Sequence, residues 1–457
     1  MSIVAIVVPF VCKLAKFDTS NNSSANATKK GVHINERSCE NVYIACEMSS
    51  LENQMSLKSD DPNYYAHWYN GFDSNRKKIR ILDSTLREGE QHPGVSFTKK
   101  QRIQIAWMLD SFGVDQIEIS PVVSTDHFEA TKTIIKQGLK ADILAHVRAI
   151  KSDVDIAINC GASWIATYMG ISDIHLSTKL KITREEAKIR ALEVADYINA
   201  HGLKARFTME DASRTDPAFL IEMCKEMNCR GIERISIPDT VGIMCPKGMY
   251  NLVKMVYENI DTSKSSLDVH CHNDVGLALA NALAGCEAGA DQIHTTIDGF
   301  GERTGIPALA ETAVALMLIY KSNNNLRLHM LKDLSKTISE YTDLEIPESK
   351  PIVGDSAYKH KAGTHLAAIL KNPAAYEILE PKVVGNRRKI VFGELAGKNG
   401  ASYLLSLLGL ETRQHEGEIL ARGLKELRMG DILELYLDDR LERKILNDET
   451  PKVKAKE

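Results

Sequence analysis

The sequence predicts an α/β fold in which eight parallel strands, each followed by a helix, close into a barrel. From Lys78 onward, short β-rich runs alternate with amphipathic helical segments, as they do in parallel βαβ units. Eight such units occupy about 245 residues, which is what a (β/α)8, or TIM, barrel requires. Polar and ionisable residues follow the predicted strands, at the end where barrels of this class build their sites.

Each predicted strand is followed by a segment with the pattern of a helix. Several helices carry clear start signals: Thr183 and Glu186 have the spacing of a capping box, and Pro217 and Pro246 stand where a first helical turn begins. Proline is tolerated there because its missing N–H would have no partner within the helix. The eight predicted strands are residues 79–84, 114–120, 141–147, 163–169, 204–209, 232–238, 266–272 and 291–297.

Three regions are predicted. Residues 1–76 are rich in Ser, Asn and Lys with little periodicity, which indicates a flexible N-terminal extension or a start placed too early. Residues 77–345 form the predicted barrel domain. The alternation then stops, and a proline-containing linker leads into residues 346–457, a mainly helical C-terminal region expected to fold over the barrel mouth as a lid.

Composition excludes several functions. The 457 residues carry a formal charge of −4, so there is no basic field to attract nucleic acid. The apolar stretch at residues 3–12 is too short to span a membrane. Nine cysteines without a CxxC pair suit a reducing compartment, and we expect a cytoplasmic protein. Import into an organelle remains an alternative, because acidic residues are few before Glu36.

The pair His270 and His272 is the strongest candidate for a metal site. Residues two apart on a strand project from the same face, so both imidazoles can reach one ion. A carboxylate from the charged loop at residues 83–91 would complete three ligands and leave positions open for substrate. The alternative is that both are ordinary, partly buried histidines.

Ionisable and hydroxyl-bearing residues stand at the ends of six of the predicted strands, including the one that carries the two histidines. Because the carboxyl ends of barrel strands meet at one face, these side chains are expected to converge on a single site. Solvation of a loop would explain one such residue, but it is a poor explanation for six strands at once. The residues concerned are Arg87, Glu88, Glu118, His146, Arg206, Thr208, Glu210, Thr240, His270 and His272.

Four motifs occur in a fixed order: DSTLREGEQ, RFTMEDASR, HCHNDVGLALAN and GFGERTG. Together they resemble the homocitrate and 2-isopropylmalate synthase family, which are metal-dependent TIM barrels that condense acyl-CoA with a 2-oxo acid. The resemblance covers about residues 77–408. Within the family, the segments 146–148 and 368–377 are most similar to homocitrate synthase.

The resemblance implies a role for each strand-end residue. Glu88, His270 and His272 would hold a divalent metal, Mg²⁺ or Mn²⁺, with Zn²⁺ as a further alternative. Arg87 would stabilise the alkoxide that develops on the ketone. The residues implied to grip the 2-oxo acid are Arg87, Gln91, Glu118, His146, Arg206, Thr208 and Thr240.

Acetyl-CoA is the implied second substrate, and its methyl group must lose a proton to a base. By resemblance the base is His365, with Glu210 and Tyr376 orienting it and helping the proton to move. In the family the lid that carries His365 and Tyr376 comes from a partner subunit. The resemblance therefore implies a homodimer, in which residues 77–345 are the catalytic domain and residues 346–457 the lid and dimerisation region.

The expected reaction is the condensation of acetyl-CoA with 2-oxoglutarate to homocitrate and CoA, in amino-acid and specifically lysine biosynthesis. The alternatives are 2-isopropylmalate or citramalate synthase and, more distantly, a lyase related to hydroxymethylglutaryl-CoA lyase. The lyase would need a catalytic cysteine in the loop after strand eight, and residues 299–311 contain none. Asp268 also departs from the glutamate that homocitrate synthases often have there.

Overall fold

Eight parallel strands close into a barrel in chain order, with β8 paired to β1. This computed structural model describes residues 62–70, 78–322, 324–392, 397–407, 421–422 and 433–436. All eight predicted strands are present, and the predicted TIM barrel is confirmed. The strands are β1 (Arg80–Asp83), β2 (Gln116–Ile119), β3 (Asp142–Arg148), β4 (Trp164–Gly170), β5 (Lys204–Glu210), β6 (Arg234–Asp239), β7 (Ser266–Cys271) and β8 (Gln292–Thr295).

A helix follows each strand, and the predicted start signals are used. The Thr183 side chain accepts a hydrogen bond from the Glu186 N–H in a capping box, and Pro217 and Pro246 each lie in a first turn. The helices are α1 (Lys99–Phe112), α2 (Thr125–Lys136), α3 (Lys151–Asn159), α4 (Arg184–Ala200), α5 (Pro217–Cys229), α6 (Pro246–Tyr257), α7 (Ala278–Glu287), α8 (Leu309–Leu318) and α9 (Leu331–Thr342).

The strands separate an apolar layer from a largely polar interior. Side chains that point outward, such as Val269 and Cys271 of β7, are fully buried in the core between the strands and the helices. Inside the barrel, a small apolar cluster lies on β1, β3 and β4: Leu82, Leu144, Trp164 and Ala166. Charged and polar side chains fill much of the remaining interior and form the site described below.

The region after the barrel contains helices, as predicted, and also a small sheet that the sequence did not predict. Its strands are β9 (Lys359–His360), β10 (Lys389–Phe392) and β11 (Leu433–Tyr436), with β10 in the centre. The helices are α10 (Gly363–Ile369) and α11 (Lys398–Leu407).

Most of the predicted N-terminal extension, residues 1–61 and 71–77, lies outside the described residues, and so does any targeting segment there. Between these two stretches, Tyr64–Asn70 form a short helix. Among the residues that the structure describes, none of the helices has the length and apolar character needed to cross a membrane.

Candidate metal and substrate site

Three potential metal ligands converge at the carboxyl end of the barrel. His270 and His272 project inward from the end of β7, and their Nε2 atoms are 3.3 Å apart. Glu88 comes from the loop after β1, where the Ser84 carbonyl accepts a hydrogen bond of 2.7 Å from the Glu88 N–H. Its Oε2 lies 3.9 Å from His270 Nε2. One atom from each of the three side chains therefore lies within 4.8 Å of the others.

The protonation of these groups suits a cation. Burial, then the neighbouring His272 and His294, lowers the pKa of His270 well below its usual range, and burial also lowers the pKa of His272. Both rings are therefore neutral near pH 7, which is the form that binds metals. Within the described part of the chain, Nδ1 of His272 is buried without a hydrogen-bond partner. Two neutral imidazoles and one carboxylate fit a divalent ion.

Arg87 links the three ligands to the deeper part of the barrel. Its Nη1 donates to Glu88, and its Nε lies 3.7 Å from the Glu118 carboxylate. Its Nη2 is 3.2 Å from Nε2 of His146. Arg206 in turn donates to Glu118, and both side chains are almost completely buried. Five predicted site residues from four strand ends thus form one continuous network.

The pKa values in this network follow from its paired charges. Burial alone would raise the pKa of Glu118, but the guanidinium groups of Arg206 and Arg87 hold it well below its usual range. Burial, reinforced by the positive charge of Arg87, lowers the pKa of His146 well below its usual range. Glu118 is therefore a carboxylate and His146 a neutral imidazole, which can donate one hydrogen bond and accept another.

A cavity of about 590 Å³ opens beside Arg87 and His146, large enough for a small oxo acid. Gln91 lines it from a short 3-10 turn, and Tyr168 stacks on the His146 ring at a centroid distance of 4.9 Å. The wall is mixed, because aliphatic side chains also line it: Leu86, Val95, Val122, Val123 and Val147.

The two predicted threonines lie on β5 and in the loop after β6. Thr208 points inward, and its hydroxyl is buried with no hydrogen-bond partner in the described part of the chain. The Thr240 hydroxyl accepts a hydrogen bond of 2.9 Å from the Asp211 N–H. Both hydroxyls can still donate to a bound ligand.

The three residues predicted to handle the proton are not brought together within this chain. The His365 and Tyr376 rings stack at 4.0 Å in the C-terminal region, and both are exposed. Glu210 instead accepts hydrogen bonds of 2.7 and 2.9 Å from Lys179 Nζ. Among the described residues, no hydrogen bond or ion pair connects His365 with Glu210.

Two residues that contact this cluster were not predicted from the sequence. His294 lies on the inner face of β8, with its Nδ1 3.2 Å from Nδ1 of His270. The alternation of β8 places Gln292 and His294 inward, so this signal was available. Lys179 lies in a π-helical turn, His175–Leu180, which no local sequence pattern predicts.

The buried pair of Glu118 and Arg206 leads to a stability prediction. Glu118→Gln is expected to lower the free energy of unfolding by about 3 to 5 kcal/mol, because it leaves the Arg206 charge buried without its carboxylate. Urea-induced unfolding followed by circular dichroism measures this. The control is Glu193→Gln, which removes an exposed partner 3.6 Å from Lys151 and should cost less than about 1 kcal/mol. Equal losses in the two variants would contradict the prediction.

Comparison with known proteins agrees with this architecture. Residues 78–338 match the family model described as HMGL-like, and residues 352–430 match the model described as homocitrate synthase post-HMGL domain-like. Among solved structures, hydroxymethylglutaryl-CoA lyase from Pseudomonas aeruginosa has the same fold, with a TM-score of 0.53 and 18% identity over 60% of this chain and 96% of that one.

Curated relatives are more similar in sequence. A probable 2-isopropylmalate synthase of Ignicoccus hospitalis is 42% identical over 80% of this chain and 91% of its own length. The homocitrate synthase AksA of Methanopyrus kandleri is 40% identical over 81% of this chain and 92% of its own length. Fold and site thus define an HMGL-like TIM barrel. Within that class, the chain belongs to the family of homocitrate and 2-isopropylmalate synthases.

Proposed function

We propose that this acyltransferase condenses acetyl-CoA with 2-oxoglutarate to give homocitrate and CoA. The observation that carries the choice of oxo acid is the polar end of the cavity, where Arg87 and His146 lie together. The distal carboxylate of 2-oxoglutarate would find hydrogen-bond donors there. A branched aliphatic oxo acid would offer no acceptor to the N–H of the neutral His146 imidazole, at a cost of about 1 to 3 kcal/mol.

The reaction needs a polarised ketone and a place for the developing negative charge. Glu88, His270 and His272 would hold a divalent cation, which supplies the Lewis acidity that polarises the ketone. The Arg87 guanidinium contacts Glu88 and would stabilise the alkoxide oxygen. The carboxylate adjacent to the ketone would be bound by Gln91, Thr240 and Thr208. The buried hydroxyl of Thr208 can donate to it.

The carbon–carbon bond forms after a proton has moved. In this proposal, His365 removes a proton from the methyl group of acetyl-CoA, while Tyr376 and Glu210 orient the imidazole. The enolate carbon then attacks the ketone carbon, and the alkoxide takes up a proton. Water finally hydrolyses the thioester, which releases CoA and homocitrate.

A homodimer with exchanged lids would bring the base to the site. Within one chain, the stacked rings of His365 and Tyr376 are exposed, and Glu210 is occupied by Lys179. We propose that each lid covers the barrel of the partner subunit, where the imidazole replaces Lys179 as the partner of Glu210.

2-Isopropylmalate synthesis is the second candidate. Two observations favour it: aliphatic side chains line part of the cavity, and a relative with that name is 42% identical to this chain. These side chains would suit the isopropyl group of 2-oxoisovalerate.

A panel of oxo acids decides between the candidates. Purified protein with acetyl-CoA and Mg²⁺ or Mn²⁺ is given 2-oxoglutarate, 2-oxoisovalerate, pyruvate or oxaloacetate, and a thiol reagent follows CoA release. Preference for 2-oxoglutarate would support the proposal. Preference for 2-oxoisovalerate would replace it with the second candidate.

Substitution of His146 tests its contact with the distal carboxylate. His146→Leu is expected to lower kcat/KM for 2-oxoglutarate by about 10- to 100-fold, because a hydrogen bond to a charged group is lost. The value for 2-oxoisovalerate should stay the same or rise. The control His201→Leu replaces an exposed histidine at the end of α4 and should change neither value. An unchanged preference in His146→Leu would remove His146 from the substrate site.

A further inference from the structure

An imidazole that none of the proposed roles uses, His294, lies between a candidate metal ligand and a buried carboxylate. Its Nδ1 is 3.2 Å from Nδ1 of His270, and its Nε2 is 3.2 Å from Oδ2 of Asp268. All three side chains are buried in the barrel interior. We propose that His294 is a positioning residue which, with Asp268, fixes the tautomer of His270 so that its Nε2 lone pair faces the metal site.

The direction of the hydrogen bonds is set at the Asp268 end. Asp268 accepts from Arg234 at Oδ1 and from Gln292 at Oδ2, so the group is a carboxylate with donors on both oxygens. A carboxylate only accepts, and the His294 nitrogen that faces it must therefore carry the proton. Arg206 Nη1 also lies 3.4 Å from this nitrogen, but that distance is longer than the 3.2 Å to the Asp268 carboxylate, and Arg206 contacts its own carboxylate, Glu118, through Nη2.

The chain of bonds then continues to the metal site. In its neutral form, His294 carries its one ring proton on Nε2, the nitrogen that faces the Asp268 carboxylate. Its Nδ1 therefore keeps a lone pair and accepts a hydrogen bond from Nδ1–H of His270. A neutral imidazole has only one such proton, so Nε2 of His270 is left bare. That atom lies 3.3 Å from His272 Nε2 and 3.9 Å from Glu88 Oε2.

This inference rests on the metal site of the proposed function and extends it to a layer of the barrel below the ligands. Histidine ligands usually donate their second ring N–H to an orienting group, and losing that group typically costs 10- to 100-fold in metal affinity. Here the orienting group is a second imidazole, itself oriented by Asp268. The effect of His294 should therefore appear in metal binding without any oxo acid present.

The first test is calorimetric titration of the full-length protein with Mn²⁺ alone. His294→Phe is expected to weaken Mn²⁺ binding by about 10- to 100-fold. The control is Gln292→Met, which removes another buried hydrogen bond to Asp268 Oδ2 but does not touch His270. Its affinity should stay within about threefold of the wild type. Equal affinities in wild type and His294→Phe, or equal losses in both variants, would overturn the inference.

A second measurement uses the wild-type protein, so its result does not depend on the folding of a variant. Nitrogen-15 NMR of the metal-free wild-type protein reports which ring nitrogen of His270 is protonated, and we expect the proton on Nδ1. A proton on Nε2 would overturn the inference even if Mn²⁺ binds tightly. A wild type that does not bind Mn²⁺ would contradict the proposed function as well as this inference. Tight Mn²⁺ binding with the proton on Nε2 would contradict the inference alone, so the two failures are distinguishable.

Discussion

Glu88→Gln is expected to reduce CoA release below detection, a loss of more than about 1,000-fold, and to weaken Mn²⁺ binding. The substitution removes a negative oxygen that lies beside two neutral imidazoles, so a divalent ion loses both charge compensation and a ligand. It also leaves Arg87 without the carboxylate to which it donates. Steady-state assays and Mn²⁺ titration measure the two effects.

A matched carboxylate serves as the control for Glu88. Glu129→Gln makes the same chemical change on the exposed face of α2, where the carboxylate lies 3.9 Å from Lys99. It should alter neither turnover nor Mn²⁺ affinity. Unchanged Mn²⁺ binding in Glu88→Gln would exclude Glu88 as a ligand.

His365→Ala is expected to stop condensation while leaving the metal and the oxo acid bound. Loss of a general base costs about 100- to 10,000-fold in rate. Exchange of the acetyl-CoA methyl protons with deuterated water should fall equally, whereas Mn²⁺ and 2-oxoglutarate affinities should stay near wild type. Thr364→Ala, at the neighbouring exposed position of α10, is the control. A loss of Mn²⁺ binding in His365→Ala equal to that in Glu88→Gln would contradict this division of roles.

The two inactive variants together test the exchange of lids. In a mixed dimer of His365→Ala with Glu88→Gln, one site would combine an intact barrel with an intact lid. After random subunit exchange, half of the dimers are mixed and half of their sites are intact, so activity should return to about one quarter of wild type. If each lid instead covers its own barrel, the mixture stays inactive.

The barrel and much of its site were predictable because they depend on short-range patterns. The two-residue period of β7 places His270 and His272 on one face, and the closed barrel brings Glu88 to them from β1. The capping box at Thr183 and the prolines of α5 and α6 are equally local signals. The strand period, the capping box and the prolines are each decided within a few residues of the chain, and the order of the strands in a closed barrel then brings Glu88 to the two histidines.

Features that depend on distant pairings were not predictable in the same way. The strand β9 has only two residues and pairs with β10 thirty residues further along, so it has no period of its own. The contact of Lys179 with Glu210 depends on a π-helical turn and on the end of β5. A sequence pattern identifies Glu210 as a candidate site residue, but it does not indicate whether Lys179 or His365 will contact its carboxylate.

The buried charged pairs of the barrel interior limit which substitutions this chain can accept. Asp268 and Arg234 neutralise each other in a space that excludes water, with Gln292 donating to the same carboxylate. Arg234 has a second carboxylate partner in Asp291, whereas Asp268 would lose the cation that donates to it if Arg234 were replaced. Homologues with a neutral residue in place of Arg234 should therefore also lack the carboxylate that corresponds to Asp268. We expect substitutions in the polar interior to occur in such pairs, whereas small changes of volume in the apolar layer outside the strands can occur singly.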